Sequence, residues 1–190
     1  MAHLARVSAV LFVAIGVVSS FTVAQTTSAT EKSRAAEKLN YFVGTWRLEV
    51  QMKIGPLGSR AFVGTEHNEW MPGGLLLLSR QDGETAVASR GLAVLGYSAE
   101  EKAYTYHVVK DTGETEDLKG TLEDHTWTWT SFATAGKPGP RSRLMIEEIS
   151  PTSYRLKFET APEGRDWSTV MDGNAVKILP HARQDVAFLR

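Results

Sequence analysis

Acidic, amide and imidazole side chains follow one another at Glu66, His67, Asn68 and Glu69. Neighbours in an extended strand point to opposite faces, so His67 shares a face with Glu69 and Glu66 shares the other with Asn68. Two candidate ligands on a face fall short of the three or four a zinc centre requires, and no third follows at a recognisable spacing. No metal and no cofactor is therefore expected, and a polar strand face or barrel mouth accounts for the cluster. His107 and His125 are candidates to meet across the strands between them, and each alone reads as a half-exposed histidine. No Ser sits in a nucleophile elbow, and the chain contains no Cys to act as a thiol nucleophile. Glu147 and Glu148 are consecutive on one strand and point apart, so they do not form a working carboxylate pair. Gly73, Gly74 and Gly113 are turn glycines, since no helix follows them to present its N-terminus to a phosphate. No catalytic residue is assigned.

The aromatic residues carry more. Trp127 and Trp129 share one strand parity and the threonines between and beside them share the other; Tyr104 and Tyr106 repeat the arrangement one hairpin earlier. Aromatics favour strands, and small barrels fill with side chains, so plain packing explains such a set. The functional alternative is an aromatic-lined cavity for an apolar molecule, with Arg80, Arg90 or Arg143 as candidate anchors for a carboxylate.

Short strands position these residues. Trp46, Leu48, Val50 and Met52 alternate with Arg47, Glu49, Gln51 and Lys53, the signature of a strand with one wet face. Some ten strand-length segments follow, punctuated by turn signals such as Pro72-Gly73-Gly74, Asp82-Gly83 and Ser150-Pro151-Thr152. The apolar run Leu75 to Leu78 reads as the start of the third strand. The links are too short for parallel crossovers, so sequence neighbours are expected to pair antiparallel. Closure removes the two bare edges of such a meander, which predicts an all-β, up-and-down antiparallel barrel of about ten strands. Ser28 and Glu31 stand at capping-box spacing, and Glu31 to Leu39 reads as a short helix leading into the barrel.

Ahead of that helix, residues 1–24 read as a signal peptide: a short basic start ending at Arg6, an apolar run from Val7 to Val18, and the small-residue site Thr22-Val23-Ala24. Residues 25–36 are assigned to a polar linker and the helix start, 37–177 to the barrel, and 178–190 to a C-terminal tail. The chain's 21 basic and 22 acidic residues leave it near neutral, which argues against a nucleic-acid partner or an acidic-membrane binder. An exported, periplasmic or secreted protein is expected, with no integral membrane domain after cleavage. Its domain is large enough to bury a core without disulfides.

The helix, the Gly44-Thr45-Trp46 opening and the meander resemble the calycin superfamily, the lipocalin and fatty-acid-binding-protein barrels. Leu39 to Glu49, Trp70 to Leu77 and Gly91 to Tyr97 are more narrowly similar to a bacterial lipocalin-like family without assigned function. The resemblance implies that Gly44 and Trp46 close one barrel end, with Lys177 the candidate basic partner over Trp46. A haem-binding branch of such barrels uses a His near the C-terminal strands, whereas His181 here falls in the tail. The expected function is binding of a small hydrophobic or amphipathic molecule. The alternatives are a barrel isomerase or hydrolase acting on an enclosed substrate, and a filled structural or interaction module of the cell envelope.

Overall fold

The computed structural model describes residues 21–53, 58–83, 90–131, 141–162 and 165–179. Helix α1 (Phe21–Lys38) runs into a 3-10 turn (Leu39–Phe42), and ten strands follow: β1 (Gly44–Lys53), β2 (Ser59–Trp70), β3 (Leu77–Asp82), β4 (Arg90–Ser98), β5 (Ala103–Lys110), β6 (Thr115–Glu123), β7 (Thr126–Ser131), β8 (Arg141–Ser150), β9 (Ser153–Ala161) and β10 (Ser168–Ile178). Every strand pairs antiparallel with its neighbour in sequence, and β1 pairs with β10, so the sheet closes into a barrel. The ten-stranded antiparallel barrel expected from the alternation and short links is thus what the chain forms. No helix among the described residues is long and apolar enough to cross a membrane.

Period-two alternation sends Trp46, Leu48, Val50 and Met52 inward while Arg47, Glu49, Gln51 and Lys53 stay on the wet face. The same rule buries Trp127 and Trp129 on β7, Leu118 and Gly120 on β6, and Tyr154 and Leu156 on β9. Gly173 allows β1 and β10 to approach closely, because a Cβ there would lie 2.2 Å from the Glu49 carbonyl oxygen.

Three local readings need correction. Residues 25–30, expected as a linker, are helical within α1, and Ser28 lies inside that helix rather than at its N-cap. Nothing between Phe21 and Lys38 is Gly or Pro, so no residue breaks the helix where the composition turns polar. Leu75 and Leu76 precede β3, which begins at Leu77; Gly74 donates to the Met71 carbonyl and Met71 to that of Leu76, holding the segment as a turn. The tip after Asp82-Gly83 falls in residues 84–89, outside the described residues, as do residues 1–20 of the expected signal peptide and most of the tail.

Candidate functional site

One barrel end is packed shut. The 3-10 turn places Phe42 beneath the strands, where its carbonyl accepts from the Trp46 indole N–H at 2.7 Å and from Asn68 Nδ2 at 3.0 Å. Lys177 pairs with Trp46 across β1 and β10 and holds its Nζ 4.7 Å from the Trp46 ring centroid. Burial holds the Lys177 ammonium below its ordinary pKa. Gly44, at φ +111°, adopts a backbone conformation that disfavours a side chain, and the Lys177 stem passes 3.7 Å from where its Cβ would be. Tyr41, Phe42, Trp46 and Tyr154 form a continuous ring cluster, and the Tyr41 hydroxyl shares its proton between the carbonyls of Ser150 and Ser153 at 3.0 and 2.8 Å. Burial, then the charge of Glu148, pushes Tyr41 up to about 12.

Above this floor lies a cavity of about 70 Å3. It has room for a few waters or a small organic group. Leu48, Val50, Leu144, Ile146, Leu156 and Met171 supply apolar wall, and the Trp129 and Tyr106 rings supply aromatic wall. A smaller space beside Val108, Leu118 and Phe158 shares Gln81, Tyr106 and Leu144 with it.

One side of the cavity is polar. Glu66 and Asn68 point inward from β2 and Gln81 from β3, while Tyr106 reaches in from β5. Asn68 Nδ2 donates to Glu66 Oε1 at 2.6 Å. Gln81 Nε2 lies 3.4 Å from Glu66 Oε2 and 3.3 Å from the Tyr106 hydroxyl, within reach of both acceptors. Burial pushes the Glu66 carboxyl up, more strongly than the hydrogen bonds from Asn68 and Gln81 pull it down. Tyr106 is pushed well above the usual phenol range by burial and then by Glu66. Both groups therefore favour their protonated, neutral forms more than they would in water. Glu116, nearer the far end of the barrel, differs: it accepts from Ser142 Oγ at 2.8 Å and stands 3.9 Å from Lys110 Nζ.

Of the aromatic residues singled out in the sequence, Trp129 and Tyr106 line the cavity. Trp127 and Tyr104 are buried in the adjoining floor, where Trp127 Nε1 donates to Glu148 at 2.7 Å and the Tyr104 hydroxyl to the Ala35 carbonyl at 3.2 Å. The two indoles stack with centroids 5.8 Å apart. The three arginines lie elsewhere. Arg80 turns outward to pair with Glu69, Arg90 is exposed at the start of β4, and Arg143 is on the outer wall, bonded to Glu159 and packed over Trp167. Arg80 has the parity opposite to buried Leu77 and Ser79, and Arg143 that opposite to Leu144's neighbours on the inner face, which is why neither reaches the cavity.

His107 and His125 do not meet. His107 lies on the outer face against Asp117, whereas His125 sits in the tight β6–β7 turn, where Asp124 and His125 both have positive φ. His67 and Glu69 lie outside the barrel, the face opposite Glu66 and Asn68. Among the described residues no three His, Cys, Asp or Glu side chains gather as a metal would need.

Comparison with known proteins adds the family and a second view of the fold. A family model described as "Protein of unknown function (DUF1579)" matches residues 31–177. No curated protein matched the chain. Among solved structures, the crystal structure of Rv2717c from M. tuberculosis is similar, with a TM-score of 0.54 and 9% identity over 76% of this chain and 98% of that one. At that identity the likeness concerns the fold alone.

Proposed function

Since this chain belongs to the DUF1579 family, whose description names no activity, we propose a function from its own interior: a calycin-type binding protein that holds a small hydrophobic or amphipathic molecule inside the barrel. The observation that carries this reading is the cavity itself, apolar and aromatic over most of its wall with a few polar groups gathered on one side. That is the usual make-up of a small-molecule site, where the apolar wall contributes affinity and the polar groups fix orientation. The packed end, with Lys177 over Trp46 and the 3-10 turn beneath it, supports the calycin assignment.

The filled structural module fits less well, because the space beside Trp129 is not occupied by side chains. A barrel enzyme would use a pair of titratable groups driven in opposite directions, whereas Glu66 and Tyr106 are both pushed up. Export belongs to the same proposal, supported by the basic start, apolar run and Thr22-Val23-Ala24 site.

The test is mass spectrometry of small molecules extracted from protein purified out of its native host. A stoichiometric apolar or amphipathic compound supports the reading, and the absence of any bound compound in repeated preparations counts against it. N-terminal sequencing of the same material tests export: a start near Gln25 is expected, and an intact Met1 or Ala2 contradicts it.

A further inference from the structure

The polar side of the cavity is unbalanced in hydrogen-bonding capacity. Asn68 is only 2% exposed, and its Oδ1 has no hydrogen-bond partner. Its orientation is set by the other end of the amide, since Nδ2 faces two acceptors, the Phe42 carbonyl and Glu66 Oε1. Turning the amide over would put an oxygen against both of those oxygens. A buried acceptor without a donor is costly, and it draws a donor from whatever enters beside it.

Glu66 adds acceptor capacity at the same place. Its two oxygens receive hydrogen bonds from Asn68 and Gln81, and each oxygen has room in its lone pairs for another donor. The influences on its carboxyl are burial and those two amides; among the described residues no cation counters its charge. Glu116 shows the contrast, with Lys110 beside it in the same interior. The other titratable groups at this region are the phenols Tyr106 from β5 and Tyr154 from β9, on both of which Glu66 acts, and Asp82 of β3, a further acid that also lines the cavity. Neither phenol carries positive charge, and the arginines weighed as carboxylate anchors are on the outside.

We propose that the cavity selects an amphipathic molecule with a hydrogen-bond-donating tip, an amine before an alcohol, and discriminates against carboxylates. The tip sits between Glu66 and the unpartnered Asn68 Oδ1, and the apolar body lies along Leu48, Leu144, Ile146 and the Trp129 ring. An ammonium supplies several donors and the missing countercharge at once. A hydroxyl supplies one donor without charge. A carboxylate brings a second negative group next to Glu66 and gives Asn68 Oδ1 nothing. This inference rests on the cavity-binding reading above and names the class of ligand for it.

The experiment titrates the full protein with hexylamine, hexanol and hexanoate, six-carbon molecules that differ at the tip, and follows Trp fluorescence and melting temperature. The amine is expected to bind at least about tenfold more tightly than the carboxylate, the factor carried by one good charge-assisted hydrogen bond, with the alcohol between them. In Glu66→Gln the gap between amine and carboxylate should shrink by a similar factor, with hexanol binding changing less than that of the amine. The ligand series on the unmodified protein reads the preference even if that variant folds poorly. Equal or tighter binding of hexanoate overturns the ligand class and leaves the cavity reading standing. Failure of all three to bind overturns both.

Discussion

Trp129 lies flat against the backbone of Gly120 on the neighbouring strand: a Cβ at Gly120 would stand 2.5 Å from the indole Cε3 and 2.7 Å from Cζ3. The glycine is what lets the indole swing over β6 and form a cavity wall. Gly120→Ala should therefore push Trp129 toward the cavity at a stability cost of about 1–3 kcal/mol, the usual range for overpacking. Chemical denaturation and the Trp emission spectrum check this; an unchanged midpoint together with an unchanged spectrum contradicts it.

Trp46 is fully buried between the 3-10 turn and Tyr154. Trp46→Ala should cost about 3–5 kcal/mol. Lys177→Met keeps the stem that packs on the ring and loses the charge, so its cost should be about 1 kcal/mol or less. Urea midpoints for the two variants give the comparison, and the account is wrong if the lysine change is the more damaging.

Glu66 links stability to pH with a definite sign. A carboxyl whose folded pKa is raised binds its proton more tightly in the native state, so its stabilising contribution is present at low pH and lost as pH rises through the folded value. Glu66→Gln removes that loss. The variant's melting temperature relative to the parent should be higher at about pH 8, well above the ordinary glutamate value of about 4.3, than at about pH 4. A difference that is flat or reversed over this range contradicts the assignment.

Glu159 behaves in the opposite way on the outer wall. Burial pushes its carboxyl up, but hydrogen bonds and charge from Lys157 and Arg143 outweigh it and leave the pKa lowered. Its contribution is present above the carboxyl's unfolded pKa and lost as pH falls through the folded one. Its side chain is only 5% exposed, with Arg143 Nη2 at 2.6 Å. Arg143→Ala should lower the melting temperature at neutral pH clearly more than Arg47→Ala, whose partner Glu49 is exposed. That gap should narrow in acid; equal effects at neutral pH would contradict the arrangement.

Much of the fold was legible because β1, β7 and β9 alternate apolar with polar residues, and period two then decides which side is buried. That rule puts Trp127 with Trp129 on one face of β7 and Tyr104 with Tyr106 on one face of β5, and barrel closure turns both pairs inward. The polar side of the cavity was not legible for a related reason. Thr65, Glu66, His67, Asn68 and Glu69 are polar on both faces of β2, so their alternation separates Glu66 and Asn68 from His67 and Glu69 without saying which pair is inside. Only the pairing of Glu66 with Gln81 across β2 and β3, and of Trp46 with Glu66 across β1 and β2, settles it. Gln81 gave no signal of its own, and its place depends on where β3 starts. The run Leu75 to Leu78 hides that start, because Leu76 belongs to the turn and packs against Gly96.

The most direct measurement of the central claim is ligand-dependent thermal stabilisation of the full protein beside a variant whose cavity is filled. Leu144 lines the space, and Leu144→Phe adds bulk to its apolar wall. Straight-chain amines, alcohols and acids of graded length should include compounds that raise the parent's melting temperature saturably, as binding to the native state alone requires. The same compounds should leave Leu144→Phe unmoved, while that variant remains folded without ligand. A parent that responds to none of them, or a filled variant that responds as strongly as the parent, would contradict binding inside the barrel.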